Sequence, residues 1–125
     1  MSRPVVVIVG GGIAGCTAAI AARKAGVDAI VIERTDMLLA GVNRAGRMNF
    51  NGKLVAAEEA KALGVGEVFE ALESIIIHRT GLIGEEHVYA YDCSLAEPTV
   101  KRLMEDFGIW IMLERQAKDV VIKGK

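Results

Sequence analysis

The sequence predicts an α/β domain built on a parallel sheet, and three observations carry that prediction. Residues 5–9, VVVIV, form an unbroken β-branched run that ends in glycines. Residues 13–25 carry Ile13, Thr17, Ile20 and Lys24 at helical spacing, with alanine filling much of the rest. A second apolar run follows at residues 27–32, VDAIVI. Short, continuously apolar strands are expected where both faces of a sheet are covered, and a helix between two of them makes a parallel βαβ unit.

The junctions of this unit carry the chemistry. Gly10-Gly11-Gly12-Ile13-Ala14-Gly15 contains G-x-G-x-x-G between strand and helix. In that pattern Gly10 supplies the tight turn out of the strand. Gly12 removes a side chain so that backbone N–H groups can approach a pyrophosphate, and Gly15 lets the helix pack close to the sheet. A phosphate placed there meets the free N–H groups and the positive end of the helix dipole. Gly26 sits where a helix of this length needs a C′ residue. Glu33 ends the second strand, 23 residues after Gly10, where an acid can accept hydrogen bonds from an adenosine ribose. A carboxylate there disfavours a 2′-phosphate, so NADP is the least favoured dinucleotide.

Two rival readings of this region are weaker. Residues 4–22 carry no charge over about the length of a membrane span, but three consecutive glycines make a poor lipid-facing helix. Met1-Ser2-Arg3 before an apolar run ending at Cys16 resembles a lipoprotein signal. Such a signal requires neither Gly26 nor Glu33 at its observed place. Cys16 is expected as a small packing residue in the first helical turn, a location that would lower its pKa.

Size and charge set limits. With 125 residues, 15 Lys+Arg and 16 Asp+Glu, the chain is expected to form one domain, residues 1–125, too short for a complete two-domain dehydrogenase. The balanced charge argues against a nucleic-acid platform. Two cysteines do not make a disulfide scaffold, and a cytoplasmic location fits.

The string VVVIVGGGIAGCTAAIAARKAGVDAIVIER resembles the N-terminus of FAD-dependent oxidoreductases, the broad superfamily with a glutathione-reductase-like FAD fold that includes fumarate-reductase flavoprotein subunits. Ala19 matches that family's small residue four after the last glycine, and Glu33-Arg34 matches its acid end. The resemblance implies that Gly10, Gly12 and Gly15 hold the FAD pyrophosphate and Glu33 the adenosine ribose. Ile13 and Ala14 within the loop and Arg34 beside the acid complete the candidate cofactor-binding set; Arg44 and Arg47 are further candidates for neutralising phosphate. Residues 35–52 stand where the family has a glycine-rich segment under the flavin. Ala40-Gly41 and Ala45-Gly46 are in place, but the double glycine followed by Ser or Thr is missing.

The remaining elements follow by pattern. Residues 53–63 are rich in helix formers, and Val65, Val68, Phe69 and Leu72 repeat at core-facing spacing beyond Gly64. Ile75-Ile76-Ile77 suits either helix or strand. Residues 86–92 alternate as a half-exposed strand. Ser94 and Glu97 read as a capping box with Pro98 in the first turn; Val100, Leu103, Met104 and Phe107 face the core, and Gly108 ends the helix. Residues 109–113, IWIML, read as a buried strand with Trp110 in the core, and residues 120–122 as a further short strand. Placing IWIML beside the second strand gives sheet order 3-2-1, one half of a Rossmann-like three-layer fold. In the resembled family an antiparallel meander follows this strand. His78 and His87 lack recognised metal spacing, so no metal is expected.

These readings support an FAD-binding segment of an oxidoreductase, not expected to be active alone, in which FAD brings the redox chemistry. No acid, base or hydride-relay residue stands out. The site would be completed by a second protein chain or by a C-terminal region of a larger flavoprotein. The alternatives are a non-catalytic subunit binding NAD or an ADP-like ligand, and an inactive fragment.

Overall fold

The computed structural model describes residues 3–43, 49–50, 55–79, 81–83 and 89–124. Side chains of residues 42–43, 49–50 and 55–56 lie outside that description. Strand β1 (Val5–Val9), helix α1 (Ile13–Lys24) and strand β2 (Asp28–Ile32) form the expected unit. Then come α2 (Ala40–Asn43), β3 (Asn49–Phe50), α3 (Val55–Ala62), α4 (Glu67–Glu73), β4 (Ile76–Arg79), β5 (Tyr89–Tyr91), α5 (Cys93–Asp106) and β6 (Trp110–Met112).

The main sheet is parallel, ordered β1-β2-β6, which is the predicted 3-2-1 arrangement. Strands β3, β5 and β4 make a second, antiparallel sheet. Ile76 thus opens a strand, settling an ambiguity that periodicity leaves open. Register divides the main sheet into two faces, because residues paired in neighbouring strands point the same way. Ile8, Val31 and Ile111 share one face with Ala29. There they join Cys16, Ala19 and Ile20 of α1 and Val100 and Met104 of α5 in the core, which continues through Leu38, Leu39, Leu72, Tyr89 and Tyr91. Arg23 fastens the layers at the far end: its guanidinium donates to the Phe107 carbonyl at 2.9 Å and to Asp28 at 2.5 Å.

The opposite face corrects the expectation of two-sided burial. Val5, Val7 and Val9 are 52%, 53% and 67% exposed, and Trp110, their neighbour across Ile30, is 71% exposed. Among the described residues, helices cover only one side of this sheet, so Trp110 is not a core residue. Residues 120–122 are not a strand either. They form no regular element and are exposed, with no described strand paired to them.

Two helix details also differ. The N-cap of α5 is Asp92, not Ser94; its carboxylate accepts hydrogen bonds from the Ser94 N–H at 2.9 Å and the Ser94 hydroxyl at 2.6 Å. Aspartate caps as well as serine, and starting the helix here places Pro98 inside it rather than in its first turn. As expected, α1 ends in Gly26 and α5 in Gly108, with φ of 81° and 71°; these left-handed positions favour glycine. Met104 is fully buried between α5 and the main sheet. Met104→Ala is expected to lower unfolding free energy by about 2–4 kcal/mol, the usual cost of such a cavity, read by urea denaturation.

Candidate functional site

The site grows from the end of β1. The Gly10 N–H donates to the Ile32 carbonyl at 2.8 Å, the last link to β2. Gly10 then turns with φ of +108°, which an L side chain resists. Gly12, the N-cap of α1, has φ of −79°. Its conformation is open to any residue, and a Cβ built on it meets nothing within 4 Å. Gly15 is the opposite case: its Cβ would lie 1.8 Å from the Gly10 carbonyl oxygen. Gly15 therefore lets the first helical turn seat against the strand end, while Gly12 leaves open space in front of the helix. Gly12 and Ala14 are exposed and Ile13 is half-buried against the core. The N–H groups of this first turn have no helical partners.

Glu33 binds the loop to the sheet. Its carboxylate accepts the Gly11 N–H at 3.0 Å on one oxygen and the Thr35 N–H at 2.7 Å on the other. Each carboxylate oxygen has a second acceptor position, so Glu33 can hold the loop and still accept from a ribose hydroxyl. Burial pushes its carboxyl pKa up. The hydrogen bonds from Thr35 and Gly11 and the positive charge of Arg34 outweigh that effect, and the net shift is downward.

Gly11, which the motif leaves as a spacer, is buried and tied to the chain beyond β2. Its carbonyl accepts the Leu39 N–H at 2.9 Å and the Cys16 thiol at 3.6 Å, and a Cβ on it would come within 2.7 Å of Leu38. Cys16 itself corrects an expectation. Its thiol is pushed up to about 12, first by burial and then by the charge of Glu33. Desolvation overrides the helix N-terminus, and Cys16 is a packing residue that donates a weak hydrogen bond.

A groove of about 230 Å³ lies against this loop, lined by Val9, Gly10, Ile32, Glu33 and Arg34 on one side and Arg115, Gln116 and Ala117 on the other. The second wall is held by backbone bonds: Glu33 N–H to the Met112 carbonyl at 2.9 Å, Glu114 N–H to Thr35 at 2.8 Å and Arg115 N–H to Glu33 at 3.1 Å. Glu114 turns the chain there with φ of 55°. Residues 115–117 are absent from the sequence-based site because they form a loop with no periodicity or motif; the polar turn after a strand was their only signal. Arg34 is exposed at the groove. Arg44, Arg47, Gly46 and His87 lie outside the described residues. Among the described residues no group of three or more His, Cys, Asp or Glu could hold a metal, and no helix is long and apolar enough to cross a membrane.

Fold and site together define a dinucleotide-binding α/β protein, with a glycine turn opening its first helix and an acid closing its second strand. Residues 6–125 match the model of the FAD dependent oxidoreductase family, and the chain belongs to that family, whose cofactor is FAD. The structure of THI4 from Thermovibrio ammonificans superposes with a TM-score of 0.65 at 22% identity, over 98% of this chain and 43% of that one. FqzB superposes with a TM-score of 0.60 at 20% identity, over 94% and 30%. CtdE, solved in complex with FAD, gives 0.53 at 23% identity, over 90% and 30%. At these identities the likeness is one of fold, and the chain spans less than half the length of each of these proteins. No curated protein matches the chain by sequence.

The residues present fit the adenosine and pyrophosphate part of FAD: open space before Gly12, unpaired N–H groups behind it and a carboxylate with acceptor positions to spare. Gly12→Ala is expected to leave the melting temperature within a degree or two but to weaken FAD binding at least tenfold, whereas Gly15→Ala lowers the melting temperature itself. Parallel thermal melts and FAD titrations separate the two. The lowered Glu33 pKa carries a pH dependence: its stabilisation is complete above the carboxylate pKa of the unfolded chain and is lost as pH falls through the lower native value. Glu33→Gln should flatten that acid limb of the stability curve.

Proposed function

We propose that this chain is the FAD-binding segment of a flavin-dependent oxidoreductase and holds the ADP half of the cofactor. Gly10, Gly12, Ile13, Ala14 and Gly15 form the pyrophosphate cradle, with N–H groups of the first turn of α1 donating to phosphate oxygens. Glu33 accepts from the adenosine ribose while keeping its bonds to the loop. Arg34 lies at the groove mouth, where its charge favours the phosphates. The observation that carries this reading is the paired behaviour of Gly12 and Glu33. One leaves space that the protein does not use, and the other keeps acceptor capacity that the loop does not consume.

Bound FAD would supply the hydride and electron chemistry. The protein's share is to anchor the adenosine end so that the flavin is presented at a fixed position. The contacts to the flavin ring and the substrate site belong to a second chain or to further sequence, in keeping with the 43% and 30% of the solved structures that this chain spans. A cytoplasmic setting belongs to the same proposal, in keeping with a sequence whose two cysteines do not make a disulfide scaffold.

ADP isolates the claim, because it carries the ribose and pyrophosphate without the flavin. Glu33→Gln is expected to weaken ADP binding by about 1–3 kcal/mol, the cost of losing a charge-assisted hydrogen-bonded pair, as measured by isothermal titration calorimetry. Unchanged ADP affinity would remove Glu33 from the ribose site.

A further inference from the structure

Both polar backbone groups of Gly11 are held by the segment that leaves β2. Its N–H donates to the Glu33 carboxylate at 3.0 Å, and its carbonyl accepts the Leu39 N–H at 2.9 Å. Leu39 makes that second bond from an unusual conformation. Its φ is 57°, in the left-handed region that crowds an L side chain and that leucine rarely enters. Among the described non-glycine residues only Glu114 also has a positive φ. Leu38 and Leu39 are both buried in the main core. A strained backbone persists where its surroundings over-determine it, and such residues gather at functional sites.

We propose that Leu39 is a positioning residue for the pyrophosphate cradle: its N–H fixes the peptide unit between Gly11 and Gly12, so that the Gly12 N–H faces the ligand before the ligand arrives. In a trans peptide the C=O and the N–H point in opposite directions. The Gly11 carbonyl turns inward, to Leu39 and to the Cys16 thiol at 3.6 Å, both of them buried. The Gly12 N–H of the same peptide unit therefore turns outward. Gly12 is exposed, and a Cβ built on it meets nothing within 4 Å, so an anion can reach that donor. No acceptor for the Gly12 N–H is found among the described residues.

The inference rests on the proposed reading of the glycine loop as a phosphate site, and adds what holds that loop in its binding shape. A donor already aimed at the phosphate loses little freedom on binding, whereas a peptide unit free to flip must be ordered as the ligand binds. The strain of the left-handed turn falls on folding instead, where burial of Leu38 and Leu39 offsets it. Side-chain shape separates this backbone role from packing. Isoleucine has the same atoms as leucine, but its branch at Cβ makes the left-handed conformation still less favourable. Methionine is unbranched at Cβ and fills much the same volume.

Titrations of the full chain with ADP and with adenosine, followed in amide NMR spectra, test this, because adenosine carries the ribose without the phosphates. The wild-type chain is expected to bind ADP more tightly than adenosine. Its Leu39 amide should be protected from hydrogen exchange, and its Gly12 amide should exchange freely until ADP shifts and protects it. Leu39→Ile should weaken ADP binding about tenfold, the scale of one charge-assisted hydrogen bond, and leave adenosine within about twofold. Leu39→Met should keep both affinities. A wild-type chain that binds ADP no better than adenosine overturns the phosphate site, and this inference with it. With that preference present, three results overturn the role of Leu39 alone: no ADP loss in Leu39→Ile, an equal loss for both ligands, or a matching ADP loss in Leu39→Met. Should Leu39→Ile fail to fold, the wild-type amides decide. A Leu39 amide open to exchange, or a Gly12 amide that ADP leaves unmoved, overturns the proposal.

Discussion

The carboxylate of Glu33 holds the site together. It stands at the end of β2 and takes a backbone N–H from the glycine turn after β1 and another from the chain that leaves β2. Two connections that could otherwise move separately are thereby set against each other. The turn at Gly10 and the start of α1 take their positions relative to this group, and the backbone of the same residue helps hold the wall formed by residues 115–117. Its lowered pKa shows that the bonds outweigh the cost of burying a charge.

Around this tie the glycines divide the work by space. Gly15 is needed because the Gly10 carbonyl oxygen occupies the place of its Cβ, and a Cβ at Gly11 would have to displace the movable tip of the Leu38 side chain. These are demands of the folded chain. Gly12 answers no such demand, since nothing in the protein approaches it. The simplest physical reason for a missing side chain at the open end of a helix is a ligand that needs the backbone there. Protein packing and cofactor access are thus written into neighbouring positions of one short loop.

Much of this was legible in the sequence because it depends on local backbone demands. The turn at Gly10, the helix ends at Gly26 and Gly108 and the acid at Glu33 each follow from a requirement that only a few residue types can meet. The parallel order of the main sheet follows from the same logic, since a helix between strands forces a crossover. What was not legible depends on which segment lies opposite another. The valines of β1 signal a strand that favours burial, yet a run of valines does not say what covers each face. The packing role of Cys16 follows from its small side chain, but the direction of its pKa does not: proximity to a helix N-terminus can be read from order in the chain, whereas the desolvation by the surrounding core and the charge of Glu33, which outweigh it, cannot. Residues 115–117 carry no pattern and reach the groove only because three backbone bonds hold them beside β2.

On the proposed function the adenosine half of FAD, and not its flavin half, is held by this chain. Calorimetric titration of the same protein with ADP, FAD and FMN tests that division most directly. ADP and FAD should both bind, and FMN, which lacks the adenosine and the second phosphate, should bind at least tenfold more weakly than either. FMN binding as tight as FAD, with no measurable binding of ADP, would contradict it.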